Sequence, residues 1–314
     1  MGDEPTAIAT ASRVETILRE NLVRENRAID AVVPVLRHLL VSEGQRLVSD
    51  AILARVRGML SDLAAQLLAA ADGRDPALNV VGRIDADARD ALAESLAADR
   101  GLLTLCHALA VESHLAERIH LQRGIDPVLS PLLQELIASD EPVIAELAMN
   151  LLAAQSRFIQ SQRRMELPLS ELPAELFHAV LSAHANPRSD TAAGEALARF
   201  QQNYDEATTR IGLLARLVAA MRRGAVAALA LDHAGLGLFA STLAALSRQP
   251  RAHAVLACHE QQGARLALGL RAAGLGPDAI ERQFLLVDPA ARMPSDLAAI
   301  SSDRARILLD AAAG

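Results

Sequence analysis

The sequence predicts an all-α protein, and three observations carry that prediction. Aromatic residues make up only 2% of the 314: five Phe, one Tyr and no Trp. The core must then be built from Ala, Leu, Val and Ile. Sheet proteins lean on aromatic and β-branched side chains, whereas Ala and Leu are strong helix formers. Apolar residues also recur at helical spacing along most of the chain, and no segment alternates with period two.

Residues 12–40 open the pattern with Val14, Ile17, Leu18, Leu22, Ile29, Val32, Val33, Leu36, Leu39 and Leu40. Pro34 is the expected point of a kink or restart. Ser42-Glu-Gly-Gln breaks the run. Residues 45–71 follow, where Val48, Ile52, Val56, Met59, Leu63 and Leu67 step by four or three, close to the helix repeat. Asp72-Gly-Arg-Asp-Pro is a stop. Residues 1–72 read as an N-terminal helical unit. Long helices of this kind pack on each other or on a second copy, so this unit is the candidate homodimerisation element.

Residues 73–185 read as a first helical-repeat region. One helix starts at Asp85 and ends near Ala98. A second runs from Asp99 or Arg100 to Gln122, with Gly124 as its C-terminal cap. Asp126-Pro127 is expected to open a third, with Pro at the tolerated first position. Asp140-Glu-Pro opens a fourth that reaches Arg163. Pro168-Leu-Ser-Glu-Leu-Pro leads into a fifth, residues 174–183. Asn186-Pro-Arg-Ser-Asp is the most linker-like segment. Residues 186–314 read as a second repeat region, with helices expected over 191–222, 225–231, 236–247, 251–273, 277–286 and 295–312.

Charge and composition narrow the function classes. Hydrophobic residues are 51% and charged residues 22%, with a mean hydropathy of +0.20. That is ample material for a core and too little charge for a disordered chain. The formal net charge of −7 and a pI near 5.7 argue against non-specific nucleic-acid binding, which needs a basic footprint. All 31 basic residues are Arg. Together with abundant Ala this fits coding bias in a GC-rich bacterial genome; the alternative is selection for bidentate guanidinium chemistry. Two cysteines far apart form no disulfide framework, so a reducing cytoplasm is the expected setting.

The opening MGDEPTAIATAS has no apolar h-region, so no secretory leader is expected. It formally fits a myristoylation pattern through Gly2 and Thr6, against which Asp3 and Glu4 argue. The most apolar stretch, residues 225–246, is interrupted by Asp232, His233, Gly235 and Gly237. It falls short of the ~18 uninterrupted apolar residues of a membrane span.

Residues 91–133 and 240–286 look alike. Each carries a Cys-His pair, Cys106-His107 and Cys258-His259. Each then reaches a turn, Gly124 to Pro127 and Gly274 to Pro277. The pairs are offset by 152 residues and the turns by 150. This suggests a duplicated helix–turn–helix unit of the kind that stacks into α-solenoids; chance likeness between Ala/Leu-rich helices is the alternative.

Three runs also carry a family resemblance: Phe239 to Ala257, Arg265 to Pro277, and Ser139 to Phe158, where an acid-Pro turn opens a helix. They resemble an alphaproteobacterial HEAT-like helical-repeat family without assigned chemistry. The resemblance covers about residues 75 to 290. It implies a HEAT-like superhelix with a signalling or scaffold role.

Four constellations qualify as candidate sites. Glu117-Arg-Ile-His120 and Glu175-Leu-Phe-His178 both fit Glu-x-x-His. That spacing sets a carboxylate and an imidazole on one helix face, as in di-metal bundles that add one Glu from each of two other helices. Glu94 and Glu146 would be those additions, making a di-metal carboxylate–histidine enzyme one reading. Against it, a Glu near a helix start is expected on dipole grounds alone. The Cys-His pairs are the second constellation. Adjacent residues on a helix point about 100° apart, so each Cys reads better as a small core residue than as a zinc ligand. Histidines 107 and 114 read as core or surface residues that could line a groove.

Third, Arg157, Arg163 and Arg164 form the densest basic cluster. Fourth, Arg210, Arg216, Arg222 and Arg223 would lie along one long helix. Either could meet an acidic partner; the plainer reading is a solvated helix end. There is no Gly-x-Ser-x-Gly, P-loop or dinucleotide loop. The expectation is therefore a non-catalytic, cytoplasmic protein without cofactor that binds a protein partner through Arg157, Arg163 and Arg164. A small-ligand sensor is the remaining alternative.

Overall fold

The computed structural model describes residues 4–41, 49–74, 84–184, 191–259, 262–288, 293 and 297–312. Among them are fourteen α-helices and no strand, so the fold is all-α. The helices are α1 Glu4–Val41, α2 Asp50–Ala71, α3 Ala86–Leu96, α4 Arg100–Arg123, α5 Pro131–Ile137, α6 Pro142–Arg164 and α7 Ala174–His184. They continue as α8 Thr191–Gln202, α9 Arg210–Met221, α10 Leu231–Ser247, α11 Arg251–Ala257, α12 Gly263–Ala272, α13 Pro277–Val287 and α14 Ser302–Ala311. Among the described residues no helix is long and apolar enough to cross a membrane. Both the expected break at residues 42–45 and the linker at 186–190 lie outside the described residues.

The chain divides into two compact units. The first is Met1–Val32, Val111–Met149 and Leu217–Gly314; the second is Val33–Ala110 and Asn150–Arg216.

The second unit is organised on α2. The stepped residues Ile52, Val56, Met59, Leu63 and Leu67 are all at most 3% exposed. Around them α2 packs against α3 and α8. Asp85 caps α3, its carboxylate accepting the Asp87 N–H. The inner face of α6 in this unit is Leu151, Ala154, Gln155, Ile159 and Gln162, again the helical period. Phe177 stacks on Tyr204, with ring centroids 3.9 Å apart.

In the first unit α10 is central. It packs on α5, α11, α12, α13 and the 3₁₀ stretch Arg222–Leu229. Gly235, at φ 70° and ψ 162°, kinks it. That backbone shape belongs to glycine, and a Cβ here would stand 3.2 Å from Ser130. α12 packs on α13 and α14.

Several expected boundaries move, each for a capping reason. Helix α5 starts at Pro131, not at Asp126-Pro127. The Asp126 carboxylate instead accepts the N–H groups of Val128 and Leu129 at 2.7 and 2.9 Å, closing a local turn. Ser130 is the true N-cap, accepting from Leu133. The single helix expected over 191–222 is interrupted. Asp205 accepts the Ala207 N–H at 2.9 Å and Thr209 that of Gly212 at 3.0 Å, so two successive caps start a 3₁₀ turn and then α9. The helix expected over 251–273 divides into α11 and α12. Pro34 lies inside an unbroken α1.

Candidate functional site

The outward face of α6 in the second unit carries Asn150, Ala153, Arg157, Gln160 and Arg164, with Arg163 beside them; all are exposed. Their spacing is the complement of the core face on the same helix. Arg163 and Arg164 stand in the last turn, where cations oppose the helix dipole favourably. Arg164 Nε donates to Glu166 Oε2 at 2.7 Å.

The chain just beyond these arginines is held on α2. Met165 turns it with a left-handed φ of 59°. It does so directly above Gly58, where a Cβ would meet Met165 Cβ at 2.4 Å. Asp62 Oδ2 accepts the Leu167 N–H at 2.9 Å and Gln66 Nε2 at 2.7 Å. Gln66 also donates to the Leu167 carbonyl at 3.0 Å and accepts the Leu169 N–H at 2.8 Å. Gln162, 1% exposed, donates to Met59 Sδ and to the Glu166 carbonyl. Partial burial pushes the Asp62 carboxyl up to about 6, with Glu166 adding repulsion; the hydrogen bonds and Arg164 pull the other way.

The second expected basic stripe does not form. Arg210 is 2% exposed. Its guanidinium lies 3.7 Å over the Phe158 ring and its Nε donates to Gln155 at 2.6 Å. Its backbone N–H is taken by Glu171 at 2.8 Å, so this arginine is a structural cation at a helix start. Arg222 and Arg223 follow in the 3₁₀ stretch after α9 ends.

The six residues of the di-metal reading are likewise not gathered. Among the described residues no three His, Cys, Asp or Glu side chains form a group that could hold a metal ion. Glu94, His120, Glu146, Glu175 and His178 are exposed and Glu117 is half-buried. Glu117, His120 and Glu146 belong to the first unit, and Glu94, Glu175 and His178 to the second. His120 Nδ1 is 3.1 Å from the Ile125 carbonyl. The His178 ring meets Phe177 and Tyr204 edge-on. A Glu-x-x-His pair aligns two side chains but does not turn them inward.

Cys106 and Cys258 are both fully buried free thiols. Burial pushes each up to about 12, which leaves almost no thiolate at neutral pH. Native protein should therefore react with Ellman's reagent at least a hundredfold more slowly than denatured protein. A rapid stoichiometric burst from the native state would contradict this burial.

Two buried polar groupings in the first unit had no motif to announce them. Glu112, 1% exposed in α4, takes the Arg251 guanidinium in a bidentate pair at 2.7 and 2.8 Å. Arg251 Nε also donates to Ser241 at 2.9 Å. The available signal was a glutamate at a core-spaced position between Val111 and Leu115. An Arg in the first turn of α11, against the helix dipole, was the other. The second grouping caps α12. Glu25 of α1 accepts the N–H groups of Ala264 and Arg265 at 2.8 and 2.7 Å. Burial holds this carboxyl above its ordinary range and His253 below its own. Arg265 is 2% exposed and donates to Gln249 at 2.8 Å.

Compared with known proteins, the chain matches no family model, no curated protein and no solved structure.

Proposed function

We propose that the chain is a non-catalytic, HEAT-like helical-repeat protein that docks a protein partner in the cytoplasm. The docking surface is the end of α6, and the partner presents an acidic segment to Arg157, Arg163 and Arg164. One observation carries this reading. Three guanidinium groups stand exposed at the end of one helix whose following segment is fixed by hydrogen bonds to α2, in a chain of net charge −7. A fixed backbone lowers the ordering cost of binding, and exposed Arg favours bidentate contact with carboxylates. The repeat reading draws support from the turns after α4 and α12, where Gly124 and Gly274 take φ 70° and 100°.

The test is gentle cross-linking and co-purification from the native host. The wild type should bring down a stoichiometric protein. Arg157→Glu with Arg163→Glu should lose that same protein at unchanged helicity and melting temperature. Retention by the charge-reversed variant would rule this surface out.

A further inference from the structure

Aromatic side chains gather at one place in a chain that has only five Phe, one Tyr and no Trp. In the second unit the Tyr204 ring stacks face to face on Phe177, with centroids 3.9 Å apart and an interplanar angle of 12°. The Phe200 ring lies 5.6 Å from that of Phe177, and His178 meets Phe177 and Tyr204 edge-on. Phe177 is buried, Phe200 and Tyr204 are half-buried, and His178 is exposed. The Tyr204 hydroxyl is anchored, donating to the Leu172 carbonyl at 2.6 Å. Phe177 thus covers one face of the Tyr204 ring, and a ligand would take the other.

Three carboxylates flank this ring. Glu206 accepts the Ala174 N–H at 3.3 Å, Asp205 the Ala207 N–H at 2.9 Å and Glu171 the Arg210 N–H at 2.8 Å. These bonds fix the carboxylates in place and leave their charge. Burial and the field of Glu206, Asp205 and Glu171 push the Tyr204 phenol up to about 12. Of the arginines nearest in sequence, Arg210 is committed to Phe158 and Gln155, Arg216 donates to the Ala207 carbonyl at 3.1 Å, and Arg199 is exposed on α8. A π face in a negative field attracts a cation, and a guanidinium also stacks flat on the ring and pairs with carboxylates. The same unit already holds one such stack, the Arg210 guanidinium 3.7 Å over Phe158. We propose that Tyr204, with Phe177 behind it and Glu171, Asp205 and Glu206 beside it, is a docking site for an arginine side chain of a partner protein. It uses none of the α6 arginines and selects a segment of the opposite charge.

Tyr204 is the chain's one tyrosine and there is no tryptophan, so the native tyrosine emission of the full chain reports on this site alone. The probe is a twelve-residue peptide of alternating glycine and arginine, titrated at low ionic strength beside the same peptide with lysine and with citrulline. The arginine peptide should change the emission saturably. The lysine peptide should bind about threefold more weakly, and the neutral citrulline peptide should not bind. A labelled arginine peptide then measures the variants by anisotropy. Tyr204→Leu should bind about fivefold more weakly, and Tyr204→Phe, which restores the π face, should recover most of the affinity. Glu206→Gln keeps the acceptor for Ala174 and should bind about threefold more weakly. The assignment is overturned if no saturable change occurs, if lysine matches arginine, if Tyr204→Leu binds as tightly as the wild type, or if Tyr204→Phe recovers nothing. Should Tyr204→Leu fold poorly, proton NMR of the arginine peptide on the wild type decides the matter. Its arginine δ protons should move upfield over the ring, and unmoved δ protons overturn the stack.

Discussion

Gly212→Ala is expected to destabilise the second unit by about 3 kcal/mol or more, at the top of the usual range for overpacking. A Cβ there would stand 2.0 Å from the Glu206 carbonyl oxygen and 3.1 Å from Thr209 Oγ1. That carbonyl is not free to retreat. It accepts the Thr209 hydroxyl at 2.8 Å and the Thr209 N–H at 3.1 Å. The Glu206 carboxylate meanwhile takes the Ala174 N–H at the start of α7. Relief of the clash therefore disturbs the starts of two helices. For a unit of this size the loss corresponds to a fall in melting temperature on the order of 10 °C. Gly224→Ala is the control, since a Cβ there meets nothing within 4 Å. It should be neutral, or stabilising by a few tenths of a kcal/mol. Equal melting of the two variants would contradict the close approach at Gly212.

Glu112→Ala is the second large effect. Burying an ion pair gives little net stability, yet removing one partner leaves a desolvated charge, at a cost of about 3–5 kcal/mol. Arg251 keeps 16% of its side-chain surface in water, which places the expected loss near the lower end, about 3 kcal/mol. Glu112→Gln keeps a hydrogen-bond acceptor and should cost less. The pairing is measured by a denaturation cycle over Glu112→Ala, Arg251→Leu and the double variant. The double variant should be more stable than the sum of the single losses allows. Strict additivity would mean that the pair is not formed.

Helicity was legible because it is written locally. The apolar steps from Ile52 to Leu67 describe a buried stripe, and the punctuation at Asp85, Gly124, Asp140 and Pro277 describes helix ends. Asp205 and Thr209 were legible in principle as caps, and the polar run Gln201-Gln-Asn-Tyr-Asp-Glu between two Ala- and Leu-rich stretches was the signal of the interruption. The division of α11 from α12 is harder. Its N-terminus is satisfied by Glu25, more than two hundred residues away, and no local rule reports a remote cap. The same holds for the two compact units, each assembled from separate stretches with boundaries inside helices. The likeness between the Cys-His regions also has a local limit. Cys106 sits within continuous α4, whereas Cys258 is the C-terminal cap of α11.

At the candidate site, exposure of Arg157, Arg163 and Arg164 follows from the helical period. Burial of Arg210 does not, because it depends on Phe158 and Gln155 arriving from α6. Asp62 and Gln66 belong to no motif in the sequence; their role depends on the left-handed turn at Met165. Paired Glu-x-x-His motifs were the most specific pattern in the sequence, and three of their four side chains are exposed, with Glu117 half-buried. Glu-x-x-His spacing sets two side chains on one face of a helix, and only the apolar residues of that helix say which face meets the core.

The most direct test of the docking surface is site-specific photo-cross-linking in the native host. A benzophenone amino acid replaces Gln160, which lies between Arg157 and Arg164 on the exposed face of α6. A control chain carries it at Glu281, exposed on α13. The docking account predicts one discrete protein adduct at position 160, absent at 281 and lost when Arg157 and Arg163 are reversed in charge. No adduct at position 160, or an adduct indifferent to those two arginines, would contradict it.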